Sequence, residues 1–304
     1  MEYEEKKHQH HEHIEHSHSE HEHAGHEHLE QKPIEREQIE RECATHECMI
    51  RLVDVNKGFM DHKVLDGVNL SIRKGETFLL IGRSGAGKTV LLKNILGLLT
   101  PDEGQVIIDG TDITKLNKRD LQKVRLQFGL VFQSSALFDF LNVEENVGFF
   151  FYEHDNVKKS DFLKISQIKD KVRETLALVG LEGIEEKYPY QLSGGMKKRV
   201  AIARAIIYEP KVLIYDEPTT GIDPIAVDKI VSLIEDLHKK LSITSLVVTH
   251  DLEVGLKLAD RLAFLLGGKI IFEGAKQELA STNDERVIQF IEGSSKGPIK
   301  EMEV

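Results

Sequence analysis

The sequence has few cysteines, no long apolar run and no surplus of positive charge, and each shortage narrows what it encodes. Its two cysteines, Cys43 and Cys48, both fall in a polar N-terminal stretch, so no disulfide framework is expected to hold a core. That usage suits a reducing compartment. No segment approaches the roughly 18 apolar residues that cross a bilayer, and the longest candidates, 149–152 and 262–266, are far shorter. The opening residues are acidic and rich in histidine, without the basic and apolar regions of a signal peptide or the arginines of a transit peptide. Any membrane role is therefore expected to come through a partner.

The formal net charge is −11, unevenly placed. Residues 1–48 carry 14 acidic against 5 basic side chains, which leaves 37 against 35 for residues 49–304. The part expected to fold is nearly neutral, so no broad positive surface for nucleic acid is implied. Residues 1–48 hold 11 of the 15 histidines and almost nothing apolar, and are expected to be a disordered leader. Its imidazoles, with Cys43, His46 and Cys48, form either a flexible ligand supply for a transition metal or a solvated tail without a specific ion.

What is present in strength is a phosphate-binding loop. The sequence Gly-Arg-Ser-Gly-Ala-Gly-Lys-Thr at 82–89 follows an apolar run, 77–81, and precedes helical spacing over 90–99. Glycines at 82, 85 and 87 let the main chain approach an anion closely, and the following helix start faces it with amides. Gly82, Arg83, Ser84, Gly85, Ala86, Gly87, Lys88, Thr89 and Val90 are expected to bind a nucleotide, with Lys88 near the β and γ phosphates and the Thr89 hydroxyl on Mg²⁺. Phe59, in a loop-like stretch at 57–63, either stacks on adenine or plugs the hydrophobic interior.

The remaining chain alternates strands and helices. Residues 50–55 and 64–72 read as antiparallel strands, 105–109 as a strand leading into an Asp109-Gly110 hairpin turn, and 128–132 as a short strand ending at Gln133. Residues 142 to about 192 carry helical spacing and read as an inserted subdomain; a helix from Gly194, a strand at 211–215, a helix at 226–240, a strand at 244–248, a helix at 252–258 and a final strand pair follow. The expectation is an α/β P-loop NTPase with a mostly parallel core sheet and helices on both faces, an N-terminal antiparallel β-subdomain and an inserted α-helical subdomain. The catalytic domain is expected over 49–283, with a C-terminal tail at 284–304.

Gln133, Asp216, Glu217 and His250 all follow strand ends, where such sheets bind ligands. A carboxylate at the end of an apolar strand is costly unless paired or on a metal, so Asp216 is assigned to Mg²⁺ together with Thr89 and Gln133. Glu217 can orient or deprotonate the attacking water, and His250 can contact the γ phosphate. Leu192-Ser193-Gly194-Gly195-Met196 opens a helix: Ser193 is a natural cap, and Gly194 and Gly195 expose amides to a second anion. One copy can thus complete the nucleotide site of another.

This set, with Gly221-Ile222-Asp223, resembles the nucleotide-binding domain of an ABC transporter over residues 49 to about 275. The resemblance implies a homodimer that sandwiches two ATP molecules, with Ser193 on the γ phosphate across the interface and Asp223 helping to couple the sites. Met196 stands where that family usually has Gln. Residues 130–147, and the ending at 286–299, are similar to the ATPase of Mla-type phospholipid transport systems, which implies integral-membrane permease subunits, an MCE-domain protein as a further partner, and a place on the cytoplasmic face of the inner membrane. The histidine-rich leader has no counterpart in that pattern and keeps a metal-ion importer as the alternative. A soluble ABC-type protein acting on DNA or the ribosome is the other alternative; a single cassette without sustained heptads argues against it.

Overall fold

The computed structural model describes residues 35–60, 62–154 and 161–299. They begin with helix α1 (Arg36–Thr45), where a disordered leader was expected. Ile39 anchors it, only 1% exposed, and a disulfide joins Cys43 to Cys48 at the start of strand β1 (Cys48–Phe59). One buried isoleucine and one disulfide hold this polar helix, a signal too small for composition to register. With both cysteines bonded to each other, neither offers a thiolate, and no group of three metal-ligating side chains occurs among the described residues. The histidines from His8 to His28 lie outside the described residues.

Strand β1 runs through Phe59 and pairs antiparallel with β2 (His62–Arg73), so the expected loop at 57–63 is a hairpin. Strand β3 (Thr77–Ile81) follows, then the phosphate loop and α2 (Lys88–Ile95). Strands β4 (Glu103–Ile108) and β5 (Thr111–Asp112) form the expected hairpin. Asp109 and Gly110 both take positive φ, 45° and 80°, which matches the twist of a two-residue turn. After α3 (Lys118–Arg125) and β6 (Phe128–Val131) come the inserted helices α4 (Val143–His154) and α5 (Phe162–Leu178), and then α6 (Gly194–Ile206). The chain continues as β7 (Val212–Asp216), α7 (Pro224–Leu241), β8 (Thr244–Val248), α8 (Leu252–Leu258), β9 (Arg261–Leu266), β10 (Lys269–Ala275) and α9 (Glu285–Glu292).

Two sheets result. One is antiparallel, in the order β2-β1-β4-β5, and the other runs β10-β9-β3-β8-β7-β6 with every neighbour parallel except β10 on β9. Strand β3 is buried along its whole length, as a central parallel strand must be when both faces are covered. Alternation then sorts its side chains: Phe78 and Leu80 face one core, Leu79 and Ile81 the other. Helices α4 to α9 cover the second face. The first face is covered mainly by the antiparallel sheet, with α2 and α3 beside it, rather than by helices alone. The segment after residue 284 packs on the body: Val287 is fully buried, and the Phe290 ring lies 4.5 Å from that of Phe264.

Candidate active site

The carboxyl ends of β3, β6, β7 and β8 open into one cleft of about 500 Å³. It is lined by Ser84, Gly85, Gly87, Lys88, Thr89 and Val90 of the phosphate loop, by Gln133, Asp216, Glu217 and His250, and by Val64 and Val248. Glycine is required at two loop positions for definite reasons. A Cβ on Gly82 would lie 2.4 Å from the Leu265 carbonyl oxygen; Gly87 has φ 103°, and a Cβ there would meet the Val64 carbonyl at 3.0 Å. Gly87 is also the residue from which α2 starts, so its freedom fixes where the helix amides point.

The Lys88 ammonium folds back over the loop and donates to the carbonyls of Gly82 (2.7 Å) and Arg83 (3.0 Å). Burial pushes its pKa below the usual lysine value, opposed by the charges of Glu217 and Asp216. Asp216 is pushed the other way: burial, then Glu217, raises its carboxyl above the ordinary range, while Lys88 and Lys198 oppose the rise. A carboxylate strained in this direction gains from a cation. Thr89, Gln133 and Asp216 offer hydroxyl, amide and carboxylate oxygens on one cleft, the hard donor set that suits Mg²⁺.

Glu217 takes φ 51°, an uncommon value for a residue with a Cβ and one that such sites retain only when neighbours enforce it. Here they do. Its amide donates to the Val248 carbonyl at 2.8 Å. Its carboxylate receives the hydroxyls of Thr220 and Thr249, each at 3.1 Å, and the His250 amide at 3.1 Å, and contacts His250 Nδ1 at 2.8 Å. The His250 ring is otherwise open, with 64% of its side chain exposed.

The remaining expected residues lie elsewhere. Ser193 and Gly195, with Asp223, line a separate cavity of about 300 Å³ that also takes in Arg199 and Lys229. Ser193 caps α6 by accepting from the Met196 amide at 3.3 Å, and Asp223 caps α7 by accepting from Ala226 at 3.0 Å. Gly194 is close-packed against Ile222, whose Cγ2 would lie 3.3 Å from an added Cβ. Neither Lys88 nor Glu217 reaches this second cavity. Phe59 lines neither; its ring is 46% exposed with the Lys57 ammonium 5.7 Å from its centroid, so it is not a hydrophobic plug. Gly82, Arg83 and Ala86 support the loop without lining the cleft.

Three residues at the cleft escape a reading of motifs. Thr220 and Thr249 hold the Glu217 carboxylate, and Lys198, 3% exposed, donates to the backbone carbonyls of Gln133 (2.5 Å) and Glu217 (3.2 Å). Thr249 carried a signal, its place beside His250 at a strand end; Lys198 carried none, because Lys197 beside it is equally polar.

Comparisons with known proteins agree with this geometry. The family described as ABC transporter matches residues 65–220. The chain is 44% identical over 268 residues to protein trigalactosyldiacylglycerol 3, chloroplastic, of Arabidopsis thaliana, covering 83% of this chain and 76% of that one. It is 41% identical over 240 residues to the intermembrane phospholipid transport system ATP-binding protein MlaF of Haemophilus influenzae, covering 79% of this chain and 89% of that one. Among solved structures, the dimeric post-hydrolysis state of the ATP-binding cassette MJ0796, bound to ADP and Pi, superposes with a TM-score of 0.66 at 33% identity over 75% of this chain and 98% of that one. The cleft, the second cavity and these relatives together lead to one assignment: the chain belongs to the ABC transporter family, as an ATP-binding, ATP-hydrolysing protein of the Mla type.

Proposed function

We propose that this chain powers a membrane permease that moves phospholipid or a related apolar molecule in the cell envelope, and that it works as a homodimer with two shared ATP sites. The observation that carries this reading is the division of labour within one chain: phosphate loop, Thr89, Gln133, Asp216, Glu217 and His250 share one cleft, while Ser193, Gly195 and Asp223 line another. Half-sites that lie apart on one protomer become whole between two. The cargo is supported by the relatives, one of which is the ATP-binding protein of a phospholipid transport system. No helix among the described residues is long and apolar enough to cross a membrane, so movement across the bilayer falls to permease subunits, docked on the surface around 134–152 where Phe140 is 76% exposed. An MCE-domain lipid-binding protein is the further partner this reading implies, and the cytoplasmic face of the membrane its location.

In this mechanism Lys88 exchanges the Gly82 and Arg83 carbonyls for phosphate oxygens, and the α2 amides hold the same anion. Mg²⁺, held by Thr89, Gln133 and Asp216, neutralises phosphate charge when bound. Glu217 orients the attacking water and takes its proton. Its carboxylate already uses about four acceptor positions, so one bond must be released first. The exposed His250 ring is the partner able to leave, turning from Glu217 towards the γ phosphate.

Affinity purification of the full chain from membranes tests the reading. It should recover integral-membrane permease subunits and bound phospholipid; recovery with ribosomes instead would contradict it. The leader histidines are proposed as transition-metal ligands. Deleting residues 1–34 should then remove Zn²⁺ binding and leave ATP hydrolysis intact, and loss of hydrolysis would count against a dispensable leader.

A further inference from the structure

Helix α6 presents two faces. Its N-terminus, with Ser193 as cap, lies at the second cavity, and Arg199 lines the same wall. The neighbouring Lys198 points the other way, into the protein, where its ammonium joins the carbonyls of Gln133 and Glu217. Adjacent helical positions are rotated by about 100°, which is why Arg199 can face the second cavity and Lys198 the backbone of Gln133 and Glu217. Further along the same helix, Arg204 holds the loop that follows Gln133, donating to the carbonyls of Ser135 (3.0 Å) and Ala136 (2.7 Å). Ser135 and Ala136 both take positive φ, 63° and 45°, a conformation that persists only where contacts over-determine it. The loop is thus clamped to α6 rather than free to move past it.

Resting on the shared-site dimer proposed above, we propose that Lys198 is a positioning residue that couples the two ATP sites through each protomer. A nucleotide held by the partner engages Ser193, Gly194 and Gly195 at the start of α6. Displacement of α6 is then transmitted through Lys198 to the peptide of Glu217 and to Gln133 in the protomer's own cleft. A lysine suits the task because its three donors grip two carbonyls on different strand ends at once. The left-handed backbone of Glu217 makes its carboxylate sensitive to that grip, since a small peptide rotation redirects the side chain. Arg204 fixes the loop, and Lys198 alone of the two reaches Glu217.

The test uses the full-length chain with Lys198→Met, which keeps the stem and removes the donors, and Lys198→Arg, which restores donors. Three quantities are compared with the unaltered protein: nucleotide affinity of the single protomer, ATP-dependent dimerisation measured by sedimentation in a Glu217→Gln background, and the kcat, KM and Hill coefficient of hydrolysis. Lys198→Met should keep nucleotide affinity and the ATP-dependent dimer, lower kcat by about 10- to 100-fold with little change in KM, and bring the Hill coefficient towards 1. Lys198→Arg should recover part of both kcat and cooperativity. Unchanged kcat and Hill coefficient in Lys198→Met would overturn the proposal, as would losses that only track the folded fraction. If Lys198→Met does not fold, Lys198→Gln, which keeps one donor group, should show intermediate cooperativity, and full cooperativity in it would be equally decisive. Failure of the unaltered protein to dimerise with ATP would instead strike at the shared-site reading.

Discussion

In the proposed mechanism turnover depends on Glu217, and the surroundings of this residue separate its role from that of Lys88. Glu217→Gln should retain ATP binding and slow hydrolysis by about 100-fold or more, on the order of 3 kcal/mol in the barrier, read as steady-state phosphate release. Lys88→Ala should instead weaken nucleotide binding, and an unchanged affinity in a titration would remove Lys88 from the phosphate site. Asp216 makes a prediction of opposite sign for stability and function. Its raised pKa means that the folded state holds the proton more tightly than the unfolded chain, so its contribution to stability falls as pH rises from the ordinary carboxylate range through the raised value. Asp216→Asn should therefore raise the thermal midpoint of the nucleotide-free protein at pH 7, by about 1–3 °C, while abolishing Mg²⁺-dependent hydrolysis; a lower midpoint would show that Asp216 is already stabilised by its neighbours. At this scale the sequence was readable wherever function rests on contiguous types, as at 82–89 and 192–196. Lys198, Thr220 and the Cys43–Cys48 bond were not, because each acquires its role from a tertiary contact.

Among the elements, α9 shows how a short segment is held. Asp284 caps it, accepting from the Arg286 amide at 2.9 Å and pairing with the Arg286 guanidinium at 2.6 Å, and these bonds to Arg286 hold its carboxyl below the usual range. A depressed carboxyl contributes stability above its ordinary pKa and loses it as pH falls through the folded value. Asp284→Ala should cost about 1 kcal/mol at pH 7, and the difference from the unaltered protein should close on acidification, as urea unfolding at two pH values would reveal. A constant difference across pH would assign the loss to packing. Element type was legible from helical spacing in α5 and α7 and from the short continuous apolar run of β3. What covers each face of the sheet was not: the apolar run places Phe78 and Leu80 inside and strand geometry puts them on one face, but neither says that an antiparallel sheet rather than helices lies over them. Helix α1 escaped because one buried isoleucine and one disulfide anchor it in a polar stretch.

For the whole molecule, the phosphate-loop cleft and the cavity at Ser193 lie apart on one protomer, and the proposed function makes each of them half of an ATP site. In the proposed function the P-loop and the Leu-Ser-Gly-Gly-Met segment, both present as motifs in the sequence, form an ATP site only when a second copy supplies the other half. Complementation between two inactive forms tests this most directly. A Lys88→Ala chain and a Ser193→Arg chain should each hydrolyse little ATP alone. Mixed, they should form a dimer with one site built from an intact phosphate loop and an intact signature, and single-turnover hydrolysis should appear well above the sum of the two separate rates. A mixture that hydrolyses no faster than that sum would contradict the shared site.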